Sequence, residues 1–243
     1  MQQQKPEPDV AQPVRPVLAH TEQISLYLGG GKETRIADGH PLVKRGRKFE
    51  QVLRGARDIF MSDGFEGASV DDIARANGVS KATLYSYFPD KRLLFMEVAK
   101  AECIRQAETA VEAMDLSLPA RVVMTEAAWQ MVNFFTSDFG QRVFRLCVAE
   151  SDRFPELGRE FYDSGPALVR KKLIHIIEIG VTRGELTVDD LPLAADQFSE
   201  LCKADLFPRM VFSMAKSFDT AQKQRIVEGA VTTFLARYAT KTS

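Results

Sequence analysis

From Phe49 onward the apolar positions recur at helical spacing. Phe49, Val52, Leu53, Ala56, Ile59 and Phe60 fall on one face of a helix, and Gly64 stands where that helix should stop. Ser69-Val70-Asp71-Asp72 has the form of a capping box, with Ser69 accepting from the third helical N–H. The short helix it opens turns Val70, Ile73 and Ala74 inward, and Gly78 ends it in a left-handed turn. Ser80 caps a third helix anchored by Leu84 and Phe88. Pro89 stops that helix, and Asp90 caps a long one running to about Met114. Beyond Leu118 helices are expected at 118–137, 140–152, 155–162, 164–184, 189–214 and 218–240, with breaks near Gly140, Pro155, Gly165-Pro166, Gly184 and Pro192. No window alternates like a strand for long. The expected fold is all-α: a three-helix unit at 44–106, joined by the long helix to a regulatory and dimerisation domain at 107–243.

Residues 1–43 break this pattern. Pro6, Pro8, Pro13, Pro16, Pro41 and the run Gly29-Gly30-Gly31 give a composition expected to be disordered, with at most a transient turn from Ile24 to Leu28. The chain has 32 Lys and Arg against 33 Asp and Glu, which argues against a general nucleic-acid coat. The distribution changes the picture. Lys44, Arg45, Arg47, Lys48, Arg54 and Arg57 crowd the first helix against only Glu50 and Asp58. That cluster reads either as a phosphate-contacting surface or as a solvated helix start. No apolar run is long enough for a membrane span or placed as a secretory signal, and residence in the cytoplasm is the expectation. Cys103, Cys147 and Cys202 match no zinc spacing and read as small buried hydrophobes rather than redox sensors. Neither a metal nor a cofactor is expected.

Three helices in about 40 residues, with a tight glycine turn between the second and third, make a helix-turn-helix. Val70, Ile73, Val79 and Leu84 would fill the angle between the two short helices. The third helix then leaves Lys81, Ala82, Thr83, Tyr85, Ser86 and Tyr87 for solvent or DNA, and small residues near its start allow close entry to a major groove.

The stretch from Phe65 to Lys91 carries Ile73-Ala74, Gly78-Val79-Ser80, Leu84-Tyr85, Tyr87-Phe88 and Lys91 at fixed spacing, after Ala56, Phe60 and Gly64. It resembles the DNA-binding signature of TetR/AcrR-type regulators over about 60 residues. Asn77 is the one departure, at a position where that family usually has Ala or Glu. The resemblance implies that Ser80, Lys81, Ala82, Thr83, Tyr85, Ser86 and Tyr87 face double-stranded DNA. It also implies that Ser69 and Lys91 clamp phosphates, and that Arg45, Arg47 and Lys48 touch the backbone or a minor groove. Further on, Phe154-Pro155-Glu156-Leu157-Gly158, Phe161-Tyr162, Gly165-Pro166 and Gly184-Glu185-Leu186 resemble one branch of the same family's ligand-sensing domain.

The second half is dense in aromatics: Trp129, Phe134, Phe135, Phe139 and Phe144. They read as core, or as the lining of an apolar effector pocket built from Trp129, Phe134, Phe144 and His175. His175 lies in the apolar run Leu173–Ile177, where a satisfied core histidine is the alternative. Two stripes suggest a homodimer across a two-fold axis. They are Val227, Ala230, Val231, Phe234, Leu235 and Tyr238, and Leu191, Ala194, Ala195, Phe198, Leu201, Cys202 and Leu206. No phosphate loop, nucleophile elbow or H-E-x-x-H occurs, which argues against an enzyme. The expected function is a dimeric repressor that binds an inverted repeat and is released by a small apolar ligand. The alternative is a DNA-binding regulator without a small-molecule inducer, controlled by a protein partner or by abundance.

Overall fold

A computed structural model describes residues 48–152 and 155–241. The 1–43 tail, its Ile24–Leu28 turn, and Arg45 and Arg47 lie outside the described residues. Among those described there are eleven helices. The first four are α1 (Phe49–Gly67), α2 (Val70–Ala76), α3 (Lys81–Tyr87) and α4 (Lys91–Glu112). Then come α5 (Ala120–Phe135), α6 (Asp138–Glu150), α7 (Pro155–Ser164) and α8 (Pro166–Thr182). The last are α9 (Leu191–Leu201), α10 (Leu206–Val211) and α11 (Thr220–Tyr238). An isolated antiparallel bridge, Leu186 with Ala239, ties the loop after α8 to the end of α11. No described helix is long and apolar enough to cross a membrane.

The buried side chains form two cores. One gathers Phe49, Val52, Leu53, Ala56 and Phe60 of α1, Ile73 of α2, Leu84 of α3 and Phe95 of α4. Aromatic contacts knit it together: Phe49 stacks on Phe88 at 5.1 Å, and Phe60 meets Phe95 edge-on at 5.1 Å. Val143 and Cys147 of α6 belong to this same core, so α6 seals the underside of the three-helix unit. The other core joins α5, α8, α9 and α11 around Met124, Val132, Ile177, Phe198 and Phe234.

Four details correct the reading of the sequence. The helix expected at 189–214 breaks after Leu201, with Asp205 at φ 60° before α10. Pro208 explains the break: a continuous helix would need its N–H, and its ring would meet the carbonyl of Ala204. The two apolar stripes assigned to a dimer interface face inward. Phe198, Val227 and Phe234 are at most 1% exposed, and α11 packs on α5 and α9 of its own chain. Ser69 accepts from the second helical N–H, that of Asp71, at 3.1 Å. His175 is exposed, because helical spacing turns it outward while Leu173, Ile176 and Ile177 point in. All three cysteines are buried, and burial pushes each thiol up to about 12.

Candidate nucleic-acid interface

The third helix is positioned from inside. Leu84 is 1% exposed and Phe88 fully buried, so α3 is held on the first core by its inner face. Ser80 caps it, accepting from the Thr83 N–H at 3.0 Å. The preceding turn passes through Gly78 at φ 58°, a backbone conformation that suits glycine. With Leu84 and Phe88 inside, Lys81, Ala82, Tyr85 and Ser86 lie outward along one stripe. Thr83 and Tyr87 sit half-buried on its flanks.

The predicted contacts differ in how free they are. Tyr85 is 41% exposed, whereas Tyr87 lies half-buried beside Phe88, ring centroids 6.5 Å apart. The Lys81 ammonium pairs with the Asp71 carboxylate at 3.1 Å, which holds its pKa above the usual value. Both side chains are more than half exposed, so an incoming phosphate can take the lysine. The Ser86 hydroxyl donates back to the Thr83 carbonyl at 2.6 Å, and the Ser80 and Thr83 hydroxyls lie 2.8 Å apart. Ser86 can donate to DNA only by giving up that bond, and only one of the Ser80 and Thr83 hydroxyls keeps a free O–H, which leaves Lys81, Ala82 and Tyr85 as the least committed groups. Lys48 is exposed at the start of α1. The Lys91 ammonium lies on the carbonyls of Phe65 and Ala68.

The frame behind α3 is charged where it is buried. Glu102 of α4 is 2% exposed. Burial raises its pKa, but hydrogen bonds from Arg105, Arg57 and Gln106 outweigh that and bring it down to about 2. Arg57 reaches it from α1 at 2.8 Å, so the pair bolts α1 to α4. At the start of α4, Arg92 bonds Asp90 at 2.6 Å and Glu150 at the end of α6 at 3.1 Å; the two carboxylates hold its pKa up. Gly64, at φ 72°, breaks α1 where the Arg142 guanidinium of α6 lies against its Cα; a Cβ there would stand 1.5 Å from Nη1. Sequence spacing did not reveal these links. The one hint was Glu102 itself, an acid lying beside Cys103 on a helix whose inner face is apolar.

Comparison with known proteins agrees with this geometry. Residues 52–98 match the model of the tetR family of bacterial regulatory proteins, and residues 122–240 match the C-terminal domain of AefR-like transcriptional repressors. The chain belongs to the TetR family. Members are transcriptional regulators, not enzymes. The repressor AcnR of Corynebacterium efficiens is 38% identical over 63 residues, 26% of this chain and 34% of its own. The match thus spans about a third of that relative. Solved structures align more widely. A TetR-family regulator from Mesorhizobium loti is 26% identical, covers 79% of this chain and 97% of its own, and has a TM-score of 0.64. The flavonoid-responsive regulator FrrA is 32% identical, covers 82% of this chain and all of its own, and has a TM-score of 0.62.

The departure from the TetR pattern at Asn77 has a structural partner. Asn77 is buried, its amide donates to the Ile73 carbonyl at 2.8 Å, and Gln51 donates to its own carbonyl at 2.8 Å. It fits because α1 carries Gly55 opposite: a Cβ at 55 would lie 2.3 Å from Asn77 Oδ1. Gly55→Ala is therefore expected to cost about 1–3 kcal/mol despite its better helix propensity. Adding Asn77→Ala should recover part of that loss. Urea unfolding of both single variants and the double variant reads the coupling, and strict additivity would contradict it.

The predicted pocket residues are not gathered around a described cavity. Phe134 contacts Phe135, Phe135 contacts Phe207, and Phe144 meets Phe207 at 5.0 Å, forming a packed aromatic chain between α5, α6 and α10. Trp129 packs, partly buried, on the second core. A small, partly open void of about 10 Å³ lies instead between Leu116, Met124, Ile176 and Arg183.

Proposed function

We propose that this chain is a homodimeric repressor that reads an inverted-repeat operator with α3 and works in the cytoplasm. The observation that carries the reading is the outward stripe Lys81, Ala82, Tyr85 and Ser86, on a helix whose inner anchors are fully packed. One such unit reads only a few base pairs, so specificity calls for two. Selection of duplexes from a random pool by the full chain tests this. Enrichment of a two-fold symmetric site is expected, and no enrichment, or a lone half-site, contradicts it.

The outward face of α11 supports dimerisation. It presents Ala221, Gln224, Arg225, Glu228, Gly229 and Thr232. Gly229 sits mid-helix, where glycine costs about 1 kcal/mol relative to Ala. Among the described residues nothing uses the space: a Cβ there meets no atom within 4 Å. Close approach by the α11 of a second copy gives that glycine a reason. Leu193, Phe212 and Met214, 49%, 75% and 74% exposed, add apolar surface beyond α11. Gly229→Arg should therefore leave the subunit at least as stable as before, since Arg is the better helix former, while shifting sedimentation from dimer toward monomer. A dimer of unchanged affinity would remove this face from the interface.

For release from DNA we propose a small apolar aromatic effector seated among Trp129, Phe134 and Phe144, with His175 reachable from solvent. FrrA's response to flavonoids favours that chemistry. The packed aromatic chain favours the second reading, a regulator without such an effector. Thermal shift with a flavonoid panel separates them: stabilisation together with loss of operator affinity supports the first, and neither effect supports the second.

A further inference from the structure

Lys91 opens α4 with its ammonium already engaged. Nζ donates to the carbonyl oxygens of Phe65 at 2.7 Å and Ala68 at 3.2 Å, and it lies 4.5 Å from the centroid of the Phe65 ring. A lysine ammonium has three N–H donors and no acceptor. Two carbonyls and one ring face account for all three. Lys81 contrasts with it, holding only one exposed carboxylate that a phosphate can replace.

The acceptors define one corner of the fold. They lie between Gly64, where α1 breaks, and Ser69, which caps α2. Carbonyls at a helix end have no following N–H to satisfy them. A cation there supplies the missing donors and suits the negative end of the helix dipole. Phe65 is itself held against Phe95 of α4 at 5.3 Å, so the ring and the ammonium grip the corner from two sides.

We infer that Lys91 is a positioning residue. It staples the 64–69 corner to the start of α4, and so sets the tilt of α2 and the presentation of α3, rather than binding a DNA phosphate. The inference rests on the operator-binding reading above. It reverses the expectation drawn from the family resemblance, in which Lys91 clamps phosphate.

The two roles differ in what they do to binding. Loss of a phosphate ligand weakens every duplex alike and lowers the slope of log affinity against log salt by about 0.9. Loss of a staple misplaces α3 and harms the selected site most. Lys91→Met is measured well below its melting temperature, against the selected duplex and a random-sequence duplex, over a salt series. The expected result is about a tenfold loss on the selected duplex, with random-duplex affinity and salt slope unchanged. Lys91→Gln, neutral but still a donor, carries the test if the Met variant does not fold, with a smaller loss on the selected duplex expected. A slope reduced by about one contact overturns the inference, as does unchanged affinity for the selected duplex. If wild-type protein enriches no sequence, the operator-binding reading has failed first and the staple has no function to serve.

Discussion

Phe234→Ala is expected to lower the unfolding free energy by about 3–5 kcal/mol, the usual cost of removing a fully buried aromatic side chain. Phe234 is 1% exposed, 5.1 Å from Phe198 and 4.9 Å from Tyr238 by ring centroids, so its loss leaves a cavity walled by α9 and α11. For a chain of this size that amounts to a fall in melting temperature on the order of 10 °C. Calorimetry of wild type and variant, at two protein concentrations, distinguishes a core role from an interface role. The loss should be the same at both concentrations, because the side chain serves its own subunit. A loss that shrinks as concentration rises would put Phe234 back at the two-fold axis.

Glu102→Gln should cost roughly 2 kcal/mol near neutral pH and should remove part of the acid sensitivity of the fold. The folded carboxyl is held at about 2 against an ordinary value of 4.5. An acid depressed on folding stabilises the native state above its unfolded pKa, and that contribution fades as pH falls through 4.5 toward 2. The full shift corresponds to about 3 kcal/mol. Arg57 and Arg105 are 38% and 54% exposed, however, and water screens part of the attraction. Urea unfolding at pH 7 and pH 3 reads the effect. Wild type should lose much of its advantage over the variant at pH 3. An advantage of the same size at both values would assign the acid sensitivity to another group.

The helices were legible because apolar faces recur at helical spacing and several starts carry a side-chain cap, as at Ser69, Ser80, Ser137, Asp190 and Asp219. Ser80, Asp90 and the glycine turn at 78 mark boundaries through purely local chemistry, and the structure places α2, α3 and α4 within a residue or two of them. What was not legible depends on partners distant in sequence. An apolar stripe shows that a face is buried, not against what. The faces of α9 and α11 therefore read equally well as an interface or as core, and the core claimed them. The same limit hid the Gly55–Asn77 fit and the Arg142 contact at Gly64, since each joins residues that only the fold brings together. The break before α10 was visible in principle through Pro208. On α3 the sequence marked the helix, its Ser80 cap and its buried anchor Leu84. It could not distinguish Tyr85, which faces outward, from Tyr87, which leans on Phe88.

The central claim is that the outward stripe of α3 reads DNA, and Tyr85→Ala tests it most directly. Tyr85 is 41% exposed and helps anchor neither core, so the variant should melt with wild type. Its affinity for the duplex selected by the wild-type chain should fall by about 1–3 kcal/mol, a loss of roughly 5- to 150-fold, while binding to random duplex stays unchanged. Wild-type affinity for the selected duplex, in a variant that folds normally, would contradict the claim that this face of α3 is the reading surface.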